Sequence, residues 1–403
     1  MQELGMVKIT SDKQIKVLVL TGSLGHGHIQ VANAIREMAN RWDHHQVNVE
    51  IIDYMELVSP NLHDISSTCF LQWVKHFPSS YGLLFEMTRK DRMLAQFIKS
   101  IRFTSLKPLI QRIEDEQPDV IIITLPAASA AVSKIKERGL IDCPAVTVIT
   151  DHTDHSFWLH PYTDKYWVGS EDAKNKLLRQ GIPASSIEIT GIPVRPVFYE
   201  TYDQTLLREQ YGLNQEATTI LLMGGGCGLI DSTLLRSLEE AEWTRSLQFV
   251  VICGRNKSLR KRLERWSAQT LLDVHVIGYT KNVHDYMAMA DLMITKSGGV
   301  TTAEAIARRL PLLIYKPLPG QEQDNIDYLI RNGVACCADN RLQLFYQLFF
   351  LITHEDKLQK MRARAQLLRQ PKPLDLIKTL VHVQEQPVLQ PSRVHTWFRR
   401  SVV

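Results

Sequence analysis

Twice in this chain a short apolar run stops at a glycine-bearing loop and restarts as a helix, the grammar of a parallel α/β sheet that binds a ligand at its strand ends. Residues 17–20 end at Gly22-Ser23-Leu24-Gly25-His26-Gly27-His28, after which Val31, Ala34, Ile35 and Met38 recur at helical spacing. Residues 292–295 end at Lys296-Ser297-Gly298-Gly299 and again pass into helix-compatible sequence. Further apolar runs at 47–52, 120–123 and 145–149, then at 220–223, 249–253, 274–277 and 312–315, alternate with such stretches, as buried parallel strands do. The pattern predicts an α/β chain with two Rossmann-like domains.

A length of 403 residues agrees, since one core rarely grows that far. The segment 190–203 carries Pro193, Pro196, Phe198 and Tyr199, which suits a defined bend better than a loose tether. The expected domains are therefore 1–196 and 197–370, with a proline-marked, basic-aromatic tail over 371–403 that packs back on the first domain. No run of about 18 apolar residues occurs and the start lacks a leader pattern, so a reduced, cytoplasmic protein is expected. The six cysteines form no CxxC pair, which fits free thiols.

Lys and Arg number 47 against 43 Asp and Glu, too small an excess for a nucleic-acid-binding composition. The basic surplus is local: residues 75–112 hold eight Lys or Arg against two acids. Within that stretch Met93, Leu94, Phe97, Ile98 and Ile101 share one helical face with Lys99 and Arg102 opposite. Such a helix lies on an anionic bilayer, with Arg89, Lys90 and Arg92 as the expected contacts, or simply packs on its own domain.

The GxxGxG spacing of the first loop is not the GxGxxG dinucleotide fingerprint, and Asp53 at the second strand's end is too generic to restore it. His28, where this loop meets the helix, reads as either a capping residue or a general base. Thr150-Asp151-His152-Thr153-Asp154-His155 follows a strand and lacks helix-spaced metal ligands, so acceptor positioning is the better reading. Gly298, Gly299, Thr301 and Thr302 at a helix start suit a diphosphate, and Glu304 suits a pair of hydroxyls. Thr301-x-x-Glu304 is equally a capping box, which would make Glu304 structural. Gln321, Glu322 and Asn325 offer paired donors and acceptors for a sugar. The loop 224–228 lacks the GxxxxGK[ST] pattern of an ATP site.

Taken together, the GxGHxxxA phrase, TDHTDHSFW, TGIPVRPVF, DLMITKSGG and YKPLPGQEQDN resemble the monogalactosyldiacylglycerol synthase and processive diacylglycerol glucosyltransferase group of glycosyltransferase family 28. The resemblance implies a GT-B architecture, with the acceptor lipid on the N-terminal domain and a UDP-sugar on the C-terminal one. It implies His28 as catalytic base and Asp151 beside it, with Gly25, Gly27 and His155 on the acceptor side. On the donor side it implies Ser297, Gly298, Gly299, Thr301, Thr302 and Glu304, then Gln321, Glu322 and Asn325, then Gly278 and Tyr279 near the uracil and Gly225, Arg255 and Asn256 along the nucleotide. The implied reaction moves a hexose, glucose first among them, from UDP-sugar to diacylglycerol with inversion and without a metal, at the inner face of the cell membrane. A UDP-sugar epimerase or hydrolase of the same fold, and a non-catalytic UDP-sugar sensor, are the alternatives.

Overall fold

The computed structural model describes residues 14–22, 26–41, 47–58, 73, 77–90, 95, 106–224, 238–239, 243, 245–369 and 373–384. In the first half, β1 (Ile15–Thr21), α1 (His26–Arg41), β2 (Val47–Asp53), α2 (Tyr54–Val58), α3 (Pro78–Thr88) and α4 (Lys107–Glu116) come in order. They are followed by β3 (Val120–Ile123), α5 (Pro126–Glu137), β4 (Ala145–Val148), β5 (Lys165–Val168), α6 (Glu171–Arg179) and β6 (Ile187–Ile189). The described strands form one parallel sheet ordered β2-β1-β3-β4-β5-β6.

The second half runs α7 (Gln204–Gln210), β7 (Thr218–Met223), β8 (Leu247–Ile252), α8 (Lys257–Ser267), β9 (Asp273–Ile277), α9 (Val283–Met289) and β10 (Leu292–Thr295). It continues through α10 (Gly299–Ala307), β11 (Leu312–Tyr315), α11 (Gln321–Arg331), β12 (Ala335–Ala338), α12 (Arg341–Thr353) and α13 (Glu355–Leu368). Its sheet is also parallel, ordered β12-β11-β10-β7-β8-β9. That is the Rossmann order, with the reversal between β7 and β10.

The strands read as unbroken apolar runs because both faces of each sheet are covered. Val17 and Val19 point into one core with α1, whereas Leu18 and Leu20 point into another with α4 and α5. Ile220 and Leu222 face α8 and α12, and Leu221 and Met223 face α9 and α10. Each aliphatic side chain so buried stabilises the fold by about 1.5–3 kcal/mol.

A last helix, α14 (Pro373–Gln384), returns to the first domain, where Leu376, Ile377, Leu380 and Val381 join the core built by β1, β2 and α1. The bend between domains is pinned from both sides. Arg195 Nε donates to Glu37 (2.8 Å) and Arg41 pairs with Glu200 (2.8 Å) on the first domain. On the second, Arg308 donates to the Val197 carbonyl (2.7 Å) and Arg369 to that of Tyr199 (2.7 Å).

Candidate active site

In open α/β sheets the strand ends next to a reversal of order leave a crevice, and here the loops after β1 and β10 open beside two such points. They launch α1 and α10, whose N-termini face one another across the domains. A Cβ placed on Gly27 would sit 3.3 Å from the Val300 side chain. Each helix start offers N–H groups without intrahelical partners and the positive end of the helix dipole.

His28, in the first turn of α1, is held by the ends of two strands. Thr124, after β3, donates from Oγ1 to the His28 carbonyl (3.2 Å), and Thr150, after β4, places Oγ1 3.4 Å from His28 Nδ1. The indole of Trp158 tilts against the ring with centroids 6.0 Å apart. Burial pushes the imidazole down to about 4, so at neutral pH it is an uncharged base. Asp53 is spent on α2, accepting from the Met55 and Glu56 amides.

Across the cleft, α10 is capped by Gly298, so Thr301 lies inside the helix and the expected capping box does not form. Thr302 Oγ1 instead bonds back to the carbonyls of Gly298 (3.1 Å) and Gly299 (3.0 Å). Gly299 permits an unusually close meeting of domains: a Cβ there would fall 2.1 Å from the Thr150 carbonyl oxygen and 2.8 Å from Asp151 Oδ1. The buried Asp151 carboxyl accepts from the Gly299 amide and from Asn325 Nδ2 (2.8 Å), and desolvation raises its pKa. A carboxyl group thus already sits at the N-terminus of α10, the position suited to phosphate. Glu304, one turn on, is buried, and desolvation pushes it up to about 8 against the weak opposing field of Arg195.

The other residues singled out from sequence divide by how their polar atoms are used. Asn325 is fully buried, with Oδ1 accepting from the His152 amide (2.8 Å) and Nδ2 shared between Asp151 and the Ser297 carbonyl, so it joins the domains rather than facing a sugar. Ser297 Oγ donates to the Glu322 carbonyl (3.0 Å), and Glu322 accepts from the Leu318 amide (2.8 Å) with its pKa raised by burial. Gln321 meets Tyr81 Oη at 3.4 Å, from the other domain. Arg255 lies over the exposed Tyr279 ring at 5.4 Å, bringing together two expected nucleotide-side groups. Asn256 caps α8 by accepting from the Leu259 amide (3.0 Å), and Gly278 lies against the Arg260 guanidinium.

His155 Nδ1 accepts from the Phe157 amide, which leaves Nε2 to donate toward the Phe85 carbonyl (3.1 Å). Lys90 is exposed, whereas Arg89, expected at a membrane, turns inward onto Asp154 (2.8 Å) and Asp324 (3.0 Å). Gly25, Gly225, Arg92 and the apolar face at 93–101 lie outside the described residues. Sequence reasoning did not single out Asp324 or Arg195. Asp324 lies inside the quoted PGQEQDN phrase, where it is one of two acids in a polar first helical turn and nothing local sets it apart.

Among the described residues no group of three or more His, Cys, Asp or Glu side chains is gathered as a metal site, and no helix is long and apolar enough to cross a membrane. The family model for monogalactosyldiacylglycerol (MGDG) synthase matches residues 28–194, and that for the glycosyltransferase family 28 C-terminal domain matches residues 219–376. A processive diacylglycerol beta-glucosyltransferase of Staphylococcus carnosus is 31% identical over 376 residues, covering 93% of this chain and 94% of that protein. A protein of the same name from Bacillus subtilis is 30% identical over 349 residues, covering 86% and 89%. Among solved structures, Acinetobacter baumannii MurG superposes with a TM-score of 0.59 at 15% identity, covering 92% of this chain and 99% of that one. A complex of Anabaena HepE with UDP and glucose gives 0.56 at 14% identity, covering 92% and 100%. These likenesses establish the two-domain GT-B fold.

Proposed function

The chain belongs to the glycosyltransferase family 28 group that contains the processive diacylglycerol beta-glucosyltransferases, and from that premise we propose that it transfers glucose from UDP-glucose to the hydroxyl of diacylglycerol, inverting the anomeric centre. The observation that carries this reading is the pair of helix starts facing each other, with an uncharged imidazole on one and a glycine-built anion site with a buried carboxyl on the other.

His28 takes the proton of the acceptor hydroxyl as its oxygen attacks the anomeric carbon and the bond to UDP breaks, turning an α-linked donor into a β-glycoside. The departing diphosphate gains charge at the N-terminus of α10, where amide N–H groups and the helix dipole are already oriented. Asp151 must give up the Gly299 amide for that to happen. The step as proposed uses no metal, since the amide N–H groups and helix dipole meet the leaving charge. Glu304 receives the two ribose hydroxyls, and Arg255 with Tyr279 flanks the base.

The acceptor comes from the bilayer side of the first domain. Helix α3 supports this, because Phe77, Leu83 and Met87 are largely exposed beside the exposed Lys90, while Tyr81 and Phe85 turn inward. A peripheral enzyme on the inner face of an anionic membrane follows, and repeated transfer to the glycosylated product would make it processive.

The test is incubation with UDP-glucose, UDP-galactose and UDP-N-acetylglucosamine on anionic vesicles containing diacylglycerol, with lipid products identified by mass spectrometry. Hexosyl- and dihexosyl-diacylglycerol bearing glucose are expected. Turnover of a UDP-sugar without any lipid product would replace this reading with an epimerase or hydrolase.

A further inference from the structure

Helix α3 touches both halves of the cleft. On the acceptor side its end is stitched to the loop after β4: Ser156 donates from its amide to the Arg89 carbonyl (2.9 Å) and from Oγ to that of Thr88 (2.8 Å). On the donor side it lies on the loop before α11. A Cβ on Gly82 would fall 2.4 Å from Pro319 Cβ, and one on Gly320 would fall 3.1 Å from the Phe85 ring and 3.2 Å from that of Tyr81. Two glycines, one per domain, therefore permit this contact.

The charge that ties the three pieces together is Arg89. Its guanidinium donates from Nη1 to Asp154 of the acceptor loop (2.8 Å) and from Nη2 to Asp324 of α11 (3.0 Å), while Nε and Nη2 engage Glu86 of its own helix. Asp324 is buried and accepts on its other oxygen from Thr153 (2.7 Å), so among the described residues this carboxylate receives its side-chain donors from across the domain boundary. The planar fork of Arg serves three carboxylates at once, a geometry that a lysine ammonium cannot reproduce. Lys176 of the first domain stands farther from Asp324 (3.8 Å), and the cross-domain pair of Arg331 with Asp172 is more exposed and correspondingly weaker.

We propose that Arg89 is a positioning residue for transfer: through Asp324 it clamps α3 and the acceptor loop onto the donor domain, so that the cleft closes around both substrates as one unit. The proposal rests on the transferase reading given above. Arg89 touches no reacting atom; it sets how long α3 and α11 stay together.

The experiment compares Arg89→Gln, Asp324→Asn and the double variant with the parent by hydrogen exchange and by kinetics. In the protein without substrates, exchange in Pro78–Thr88 and Gln321–Arg331 is expected to quicken roughly tenfold or more in each single variant, the factor for losing a charge-assisted hydrogen bond. The double variant should match the worse single one, because both substitutions remove the same contact. In the vesicle assay kcat falls, the ratio of UDP-glucose hydrolysis to transfer rises, and uridine affinity is unchanged. Arg89→Lys should recover only part of the loss. Unaltered exchange in both helices, or additive effects in the double variant, overturns the clamp. An unchanged hydrolysis ratio overturns its role in transfer, and a loss of uridine binding makes Arg89 a donor-site residue instead. Should Arg89→Gln not fold, Asp324→Asn reads the same contact from the other domain. The exchange result stands by itself if the parent transfers nothing, which separates failure of the clamp from failure of the reaction assignment.

Discussion

The two helix starts that meet across the cleft are built alike yet hold opposite titratable groups. Both follow a central strand and a glycine loop, and both turn amide N–H groups that lack intrahelical partners toward the other domain. His28 on α1 is driven down to about 4 and Glu304 on α10 up to about 8, in each case chiefly by loss of water. Burial therefore leaves an uncharged base on one side and an uncharged acid on the other at pH 7. The same local fold thus shifts a base down and an acid up. The imidazole is ready to receive a proton, whereas the carboxyl ionises only when donors such as ribose hydroxyls reach it.

The strongest way to break that division is at His28. Replacing it by Ala should cut transfer by about 10²–10⁴-fold, the span of general base catalysis, with uridine affinity unchanged by calorimetry. Parallel loss of uridine binding would merge the two sides into one. A smaller effect is expected at Glu304: Gln in its place accepts hydroxyls but cannot ionise, so uridine should bind about tenfold more weakly above pH 8. Below pH 6, where the parent carboxyl is itself uncharged, the two should bind nearly alike. A Gln variant indistinguishable from the parent at high pH would make Glu304 a buried structural group.

How much of this was legible in sequence follows from how local each feature is. His28, Gly299 and Glu304 belong to strand–loop–helix units whose residues are neighbours in the chain, so spacing was enough to place them near the starts of their helices. The capping-box reading of Thr301-x-x-Glu304 was removed only by where the helix begins, at Gly299. Asn325 looked like a sugar ligand because its amide suits hydroxyls, but that amide is consumed by Asp151, the His152 amide and the Ser297 carbonyl, all outside its own helix. Arg89 and Asp324 meet across 235 residues of chain, and no periodicity reports such a pair. A basic excess in sequence suggested a membrane face, while the geometry shows one of its charges used between domains.

The finest test of the comparison is the pH dependence of donor-side binding, best read with uridine because it carries no phosphate to titrate. Glu304 holds its proton in the free cleft up to about 8. If the bound state is ionised, binding expels that proton below pH 8, so affinity should rise with pH, by at most about tenfold per unit, and level off above 8. The same raised pKa has a stability consequence of defined sign. Between the ordinary carboxyl value of 4.5 and about 8 this group binds more proton in the folded chain than in the unfolded one, so its contribution to stability falls as pH rises through that window. His28, lowered from 6.5 to about 4, acts on stability with the opposite sign between those values and contributes little above pH 7. A rise in uridine affinity that persists in Glu304→Gln would assign the proton elsewhere, whereas its disappearance in that variant alone would tie the donor side of the cleft to a single buried carboxyl.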